Sequence, residues 1–300
     1  MSVRFKNYER TRDNQAIGDF LIANYKPDNA DVNWLQPRWE YMSYRFDMLA
    51  NIDTSKIGIW EDNEKIVAVA HPESYKGEVY IQVSPEYTYL KPEILNYAES
   101  ELYGINKRGN KVIHVFVYDT DEELKQIVKC RGYQTREATA YDFLSKYTVP
   151  SFFPKINLPE GFRLISLEEE NDPEKTGRLW WRGFNHPGEP PENQAMIVLD
   201  LQTAPNYRKN LNIVIKAANG DFVSYCGMWY VPANRYAYVE PVATDPDYRE
   251  KGLASAAVLA GIRRCAYLGA KEAYVGTGTK LYEKIGFKII LANHWWEKRW

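Results

Sequence analysis

Asp245-Pro246-Asp247-Tyr248-Arg249-Glu250-Lys251-Gly252-Leu253-Ala254 stands between two stretches of opposite local preference. Residues 236–244, ahead of it, are rich in β-branched and aromatic side chains and predict a strand. Residues 255–264, behind it, are rich in helix formers and predict a helix that runs to about Leu268, with Gly269 as its stop. A strand, a tight basic turn and a helix N-terminus together make an anion site. The first helical N–H groups lack intrahelical partners and point at whatever occupies that position. Gly252 and the small Ala254 let a bulky phosphate approach the main chain closely. Arg249 and Lys251 add positive charge, and arginine can fork onto phosphate oxygens.

A second motif follows, Leu281-Tyr282-Glu283-Lys284-Ile285-Gly286-Phe287. The first motif, Arg249-x-x-Gly252-x-Ala254, resembles the pyrophosphate-binding loop of the GNAT acetyltransferase superfamily. The second resembles that family's closing Tyr-x-x-x-Gly-Phe segment. The resemblance covers roughly residues 160–300. It implies an α/β (α+β) fold: a mixed, mostly antiparallel twisted sheet flanked by helices. It also implies acetyl-CoA, or another acyl-CoA, as donor. The positions that would hold the donor are Val242, Ala243, Thr244, Arg249, Glu250, Lys251, Gly252, Leu253, Ala254 and Ser255. Pro241 fits the resemblance. Proline removes a ladder donor and belongs at an edge or bulge, and the family bulges and splays its fourth strand there. Splaying would free main-chain groups around 242–244 to pair with the pantetheine arm.

The 300 residues suit two domains better than one, and 45% hydrophobic residues are enough for two cores. A net charge of −2 gives no global basic field for nucleic acid. No run of about 18 apolar residues predicts a membrane span. The polar N-terminus does not read as a signal peptide. Cys130, Cys226 and Cys265 are odd in number, widely spaced and without a metal pattern, which points to buried thiols, no metal and a reducing, cytoplasmic setting.

Residues 147–161 hold three prolines and a glycine and read as an extended linker. The stretches on either side match in order. Strands opening at 3–5 and 162–165 precede apolar helices at 17–25 and 179–184. Hairpins follow, 56–70 and 211–231, the second turning at Asn219-Gly220. Strands 79–83 and 236–244 lead into Ser84-Pro85-Glu86-Tyr87 and Asp245-Pro246-Asp247-Tyr248. Gly132-Tyr133 and Gly286-Phe287 close the halves. The chain therefore reads as a tandem repeat: residues 1–149 as a degenerate domain, 150–160 as linker and 161–300 as the active domain. Degeneracy is read from register. Thr88, Lys91 and Glu93 stand where Arg249, Gly252 and Ala254 stand, and Val128 stands where Tyr282 stands.

Acyl transfer to an amine requires deprotonation of the amine, stabilisation of an oxyanion and protonation of the leaving thiolate. By the resemblance, Tyr282 takes the place of the general acid. A phenol of pKa about 10 stays protonated at neutral pH and can donate. Glu240 is the candidate base. Strand alternation puts it on one face with Tyr236, Tyr238, Val242 and Thr244, where partial desolvation would raise its pKa. The main-chain N–H near Val242 is the oxyanion donor that the resemblance suggests. The loop 180–192 mixes aromatics, a histidine and carboxylates with turn formers, so Trp181, Phe184 and His186, with Tyr238, are the expected acceptor contacts. The expected acceptor is an amine of a small molecule or peptide, bound by a monomer or homodimer. The alternative is a non-catalytic acetyl-CoA-binding or regulatory protein on the same scaffold.

Overall fold

The computed structural model describes residues 3–135 and 142–300. In chain order the strands and helices are β1 (Arg4–Asn7), α1 (Arg10–Ala23), α2 (Gln36–Ser43), α3 (Phe46–Leu49), β2 (Gly58–Asp62), β3 (Lys65–His71), β4 (Glu78–Val83), α4 (Lys91–Glu101), β5 (Gly104–Ile105), β6 (Lys111–Tyr118), α5 (Glu122–Cys130), β7 (Gln134–Thr135) and β8 (Asp142–Thr148). Then follow β9 (Phe162–Ser166), α6 (Pro173–Gly183), α7 (Gln194–Leu201), β10 (Ile213–Ala217), β11 (Phe222–Val231), β12 (Tyr236–Thr244), α8 (Leu253–Tyr267), β13 (Glu272–Val275), α9 (Lys280–Ile285) and β14 (Lys288–Arg299). Among the described residues no helix is long and apolar enough to cross a membrane.

The chain divides into two compact units, Met1–Phe143 with Ile290–Trp300, and Leu144–Ile289. Each is a mixed, mostly antiparallel sheet with helices, and the two sheets repeat one topology. In the first unit the order is β1-β2-β3-β4-β6-β14, with β5 beside β6 and β7 beside β14. Among the described residues only the β4–β6 junction is parallel. In the second unit the order is β9-β10-β11-β12-β13-β8, and among the described residues only β12–β13 is parallel. The sixth strand of each sheet comes from the other stretch of sequence: β8 pairs with β13, and β14 pairs with β6. Segment 144–160, read from the sequence as domain end and linker, thus lies in the second unit, and 290–300 lies in the first.

The hairpins form where their turn residues allow. Asn63 and Glu64 both take positive φ between β2 and β3, and Gly220 does so between β10 and β11. The helix stretches begin earlier than their apolar runs. Asp172 caps α6 by accepting from the Lys175 N–H, and Pro173 opens the helix. The core of the second unit gathers Ile213, Cys226, Met228, Val239, Val258 and Ile262. Burying each large aliphatic side chain there contributes about 1.5–3 kcal/mol. Gly261 lets α8 ride close on β11, since a Cβ there would lie 2.4 Å from the Met228 side chain.

Candidate functional site

The stretch 245–254 folds as a strand end, a single 3-10 turn at Pro246–Tyr248 and the start of α8. Asp245 accepts from the Asp247 N–H at 3.0 Å, and its carbonyl accepts from the Tyr248 N–H at 2.9 Å, so the lead-in builds its own turn. Glu250 and Gly252 take φ of +61 and +76. The first intrahelical bond runs from the Ala256 N–H to the Gly252 carbonyl. The N–H groups of Leu253, Ala254 and Ser255 precede it, at the positive end of a 15-residue helix. A Cβ on Gly252 would meet nothing within 4 Å among the described residues. The main chain here is open to a ligand.

The cations of the loop are used differently from one another. Arg249 ties the loop together: its Nε donates to the Thr244 carbonyl at 3.2 Å and its Nη2 to the Gly183 carbonyl at 2.8 Å. Lys251 is exposed, 3.3 Å from the Asp247 carbonyl and 5.1 Å from the Tyr248 ring centroid. Two groups that sequence reasoning missed complete the frame. Arg182 donates to Asp245 through Nε at 2.5 Å and Nη2 at 3.1 Å, and to Asp247 at 2.7 Å. Burial alone would raise the Asp245 pKa, but these bonds together hold it below the ordinary carboxylate value. Gly183 lets α6 cross directly over the strand end, since a Cβ there would lie 2.8 Å from that of Ala243.

The strand before the loop is splayed. β13 pairs with β12 only from Tyr236 to Tyr238, whereas β11 stays paired with β12 to Thr244. The Asp245 N–H donates to the Val223 carbonyl at 3.0 Å. In an antiparallel ladder bonded pairs alternate with unbonded ones, so Ala243 is the next residue bonded to β11, and Val242 and Thr244 turn their main-chain groups away from it. Of the carbonyls, Thr244 already accepts from Arg249.

A bulge at Glu240-Pro241 breaks the alternation. Cys226 pairs with Val242 but Met228 with Val239, so two residues of β12 face Gly227 alone. Ala237, Val239, Val242 and Thr244 consequently share the α8 side, and Tyr236, Tyr238 and Ala243 the other. The single face expected for Tyr236, Tyr238, Glu240, Val242 and Thr244 is therefore not formed. Gly227 is what permits the bulge: a Cβ there would lie 2.4 Å from the Glu240 carbonyl oxygen. The Trp229 indole donates to that same oxygen at 2.9 Å.

Tyr282 sits on the six-residue α9, 6% exposed, with its ring edge-on to Phe287 at 5.3 Å. Burial raises its pKa well above that of a free phenol, and charge on Cys226 or Glu240 adds to the rise. Of the expected acceptor contacts, Trp181 stacks on His186 at 4.4 Å and donates to the Gly188 carbonyl at 3.0 Å, and Phe184 beside them is 45% exposed. Tyr238 differs: it is 3% exposed and paired with Trp229 on the sheet. Among the described residues no group of histidines, cysteines and carboxylates is arranged to hold a metal.

The second unit thus combines a helix start behind a left-handed glycine, a strand pair that splays beyond Tyr238 and a buried tyrosine on the short helix α9. Residues 165–287 match the model of the acetyltransferase (GNAT) family. The architecture of nearly the whole chain recurs in a GCN5-related N-acetyltransferase from Sphaerobacter thermophilus, with TM-score 0.66 and 13% identity over 99% of this chain and 95% of that one. It recurs in a tandem GNAT protein from the clavulanic acid biosynthesis pathway, with TM-score 0.63 and 10% identity over 99% and 98% of the two chains. A GNAT-family acetyltransferase from Colwellia psychrerythraea matches with TM-score 0.58 and 10% identity over 98% and 99%. At such identities the likeness is one of fold: two GNAT-like domains in tandem. No curated protein matches the sequence.

Proposed function

We propose that the second unit transfers an acetyl group from acetyl-CoA to an amine of a small molecule or peptide, by direct attack with both substrates bound. The observation that carries this reading is Gly252 at the start of α8, where a Cβ would meet nothing within 4 Å among the described residues, together with the preceding strand, whose residues beyond Tyr238 are not paired with β13 among the described residues. The diphosphate would lie on the N–H groups of residues 252–255, favoured by the helix dipole. The main-chain groups of Val242 and Thr244 would receive the amide-bearing arm as an added strand. Tyr282, kept protonated by burial, acts as the proton donor to the leaving sulfur. Glu240 takes the proton from the amine, and the Val242 N–H supports the charge that develops on the carbonyl oxygen. Trp181, Phe184 and His186 line the acceptor approach. The first unit, which lacks the loop, serves as scaffold.

The test is release of free CoA thiol from acetyl-CoA over a panel of amines: polyamines, amino sugars, arylalkylamines and peptide N-termini. Turnover with one class, abolished in Gly252→Glu, supports the reading. Acetyl-CoA binding without turnover on any amine would favour a non-catalytic role for the scaffold.

A further inference from the structure

Two contacts run in opposite directions between the end of α6 and the phosphate-facing loop. Arg182, one residue before the end of α6, reaches across to fork onto Asp245 and to touch Asp247. Arg249 reaches back to the carbonyl of Gly183, the last residue of the same helix. Between them Gly183 packs on Ala243 with no room for a side chain. The chain leaves this junction straight into the exposed loop 184–192, where the Phe184 N–H still bonds Trp180 and the His186 N–H still bonds Trp181. Asp245, Asp247 and Arg249 of the loop 245–254 are thereby tied to the end of α6.

We propose that Arg182 is a positioning residue that couples the two substrate subsites of the second unit. It transmits occupation of the loop 245–254 to the loop 184–192. The inference rests on the donor reading above and extends it. A bidentate arginine–carboxylate pair has a fixed plane, so rotation of the Asp245–Tyr248 turn carries the guanidinium and the end of α6 with it. A lysine at the same position would keep the charge but lose the planar fork.

The experiment is amide hydrogen exchange of the full chain with and without acetyl-CoA, in the native protein, Arg182→Met and Arg182→Lys. In the native protein acetyl-CoA is expected to slow exchange at 249–256 and also, about threefold or more, in 184–192. In Arg182→Met the first effect stays and the second disappears; Arg182→Lys recovers part of it. Protection at 249–256 without protection in 184–192 of the native protein would overturn the coupling and leave the donor site standing. Protection in 184–192 that survives in Arg182→Met would overturn the role of Arg182. Absence of protection at 249–256 would overturn the donor reading and the coupling with it. A thermal melt of each variant separates loss of coupling from loss of fold, and the native comparison stands even if Arg182→Met fails to fold.

Discussion

The loops that follow the fourth strand in the two units occupy one position in one topology, yet only one of them is open. After β12 the chain makes a single 3-10 turn, passes through Gly252 at φ +76 and starts α8, whose first intrahelical bond comes only at the Ala256 N–H. After β4 a longer 3-10 segment, Pro85–Leu90, runs directly into α4 with no left-handed residue between. Pro92 removes one N–H from the first turn of α4. The Lys91 side chain is 6% exposed and donates to both carboxylate oxygens of Asp121, at 2.7 and 3.0 Å. Glu93 accepts from the Trp60 indole at 2.7 Å. The same contrast recurs at the closing motif. The N–H of Phe287 bonds the Tyr282 carbonyl just as that of Tyr133 bonds the Val128 carbonyl, so the two caps coincide. One presents a phenol and the other a buried aliphatic side chain. The two copies share this hydrogen-bond frame, while the side chains of the first unit's loop are engaged with Asp121 and Trp60.

The comparison is broken most severely by Gly252→Glu. A side chain at positive φ and a carboxylate at the helix start should abolish saturable acetyl-CoA binding, measured by calorimetry; tight binding by this variant would place the diphosphate elsewhere. Lys91→Met strikes the opposite loop. It leaves the half-buried Asp121 without its cation and should lower stability by about 3 kcal/mol in urea unfolding, with acetyl-CoA affinity unchanged. A loss of affinity instead would give the first unit a share in donor binding. Tyr282→Phe should lower turnover about a hundredfold with the donor dissociation constant preserved, and unchanged turnover would remove the phenol from the chemistry. Glu240→Gln is the mildest, a fall of about tenfold with a flattened acidic limb of the pH–rate profile; an unmoved limb would assign the proton to water or another group.

Much of the frame was legible because it is local. Gly252, the Asp-Pro-Asp-Tyr turn, the helix stop at Gly269 and the Asn219-Gly220 hairpin each announce themselves through φ/ψ demands that few residues meet. Pro241 marks the bulge and Gly227, inside an otherwise bulky strand, is its matching signal; the extra residue between them reverses the simple alternation beyond Val239. The exchange of β8 and β14 was not legible, since either strand's pattern suits either sheet edge. The service of Arg249 and Arg182 to the main chain and carboxylates of their own loop depends on tertiary proximity of α6, which no spacing rule reports.

The most direct test is calorimetric titration of the intact chain with acetyl-CoA, counting sites. One site per chain, lost in Gly252→Glu and kept in Lys91→Met, is the result expected from one open and one filled loop. Two sites per chain, or one that survives in Gly252→Glu, would contradict it.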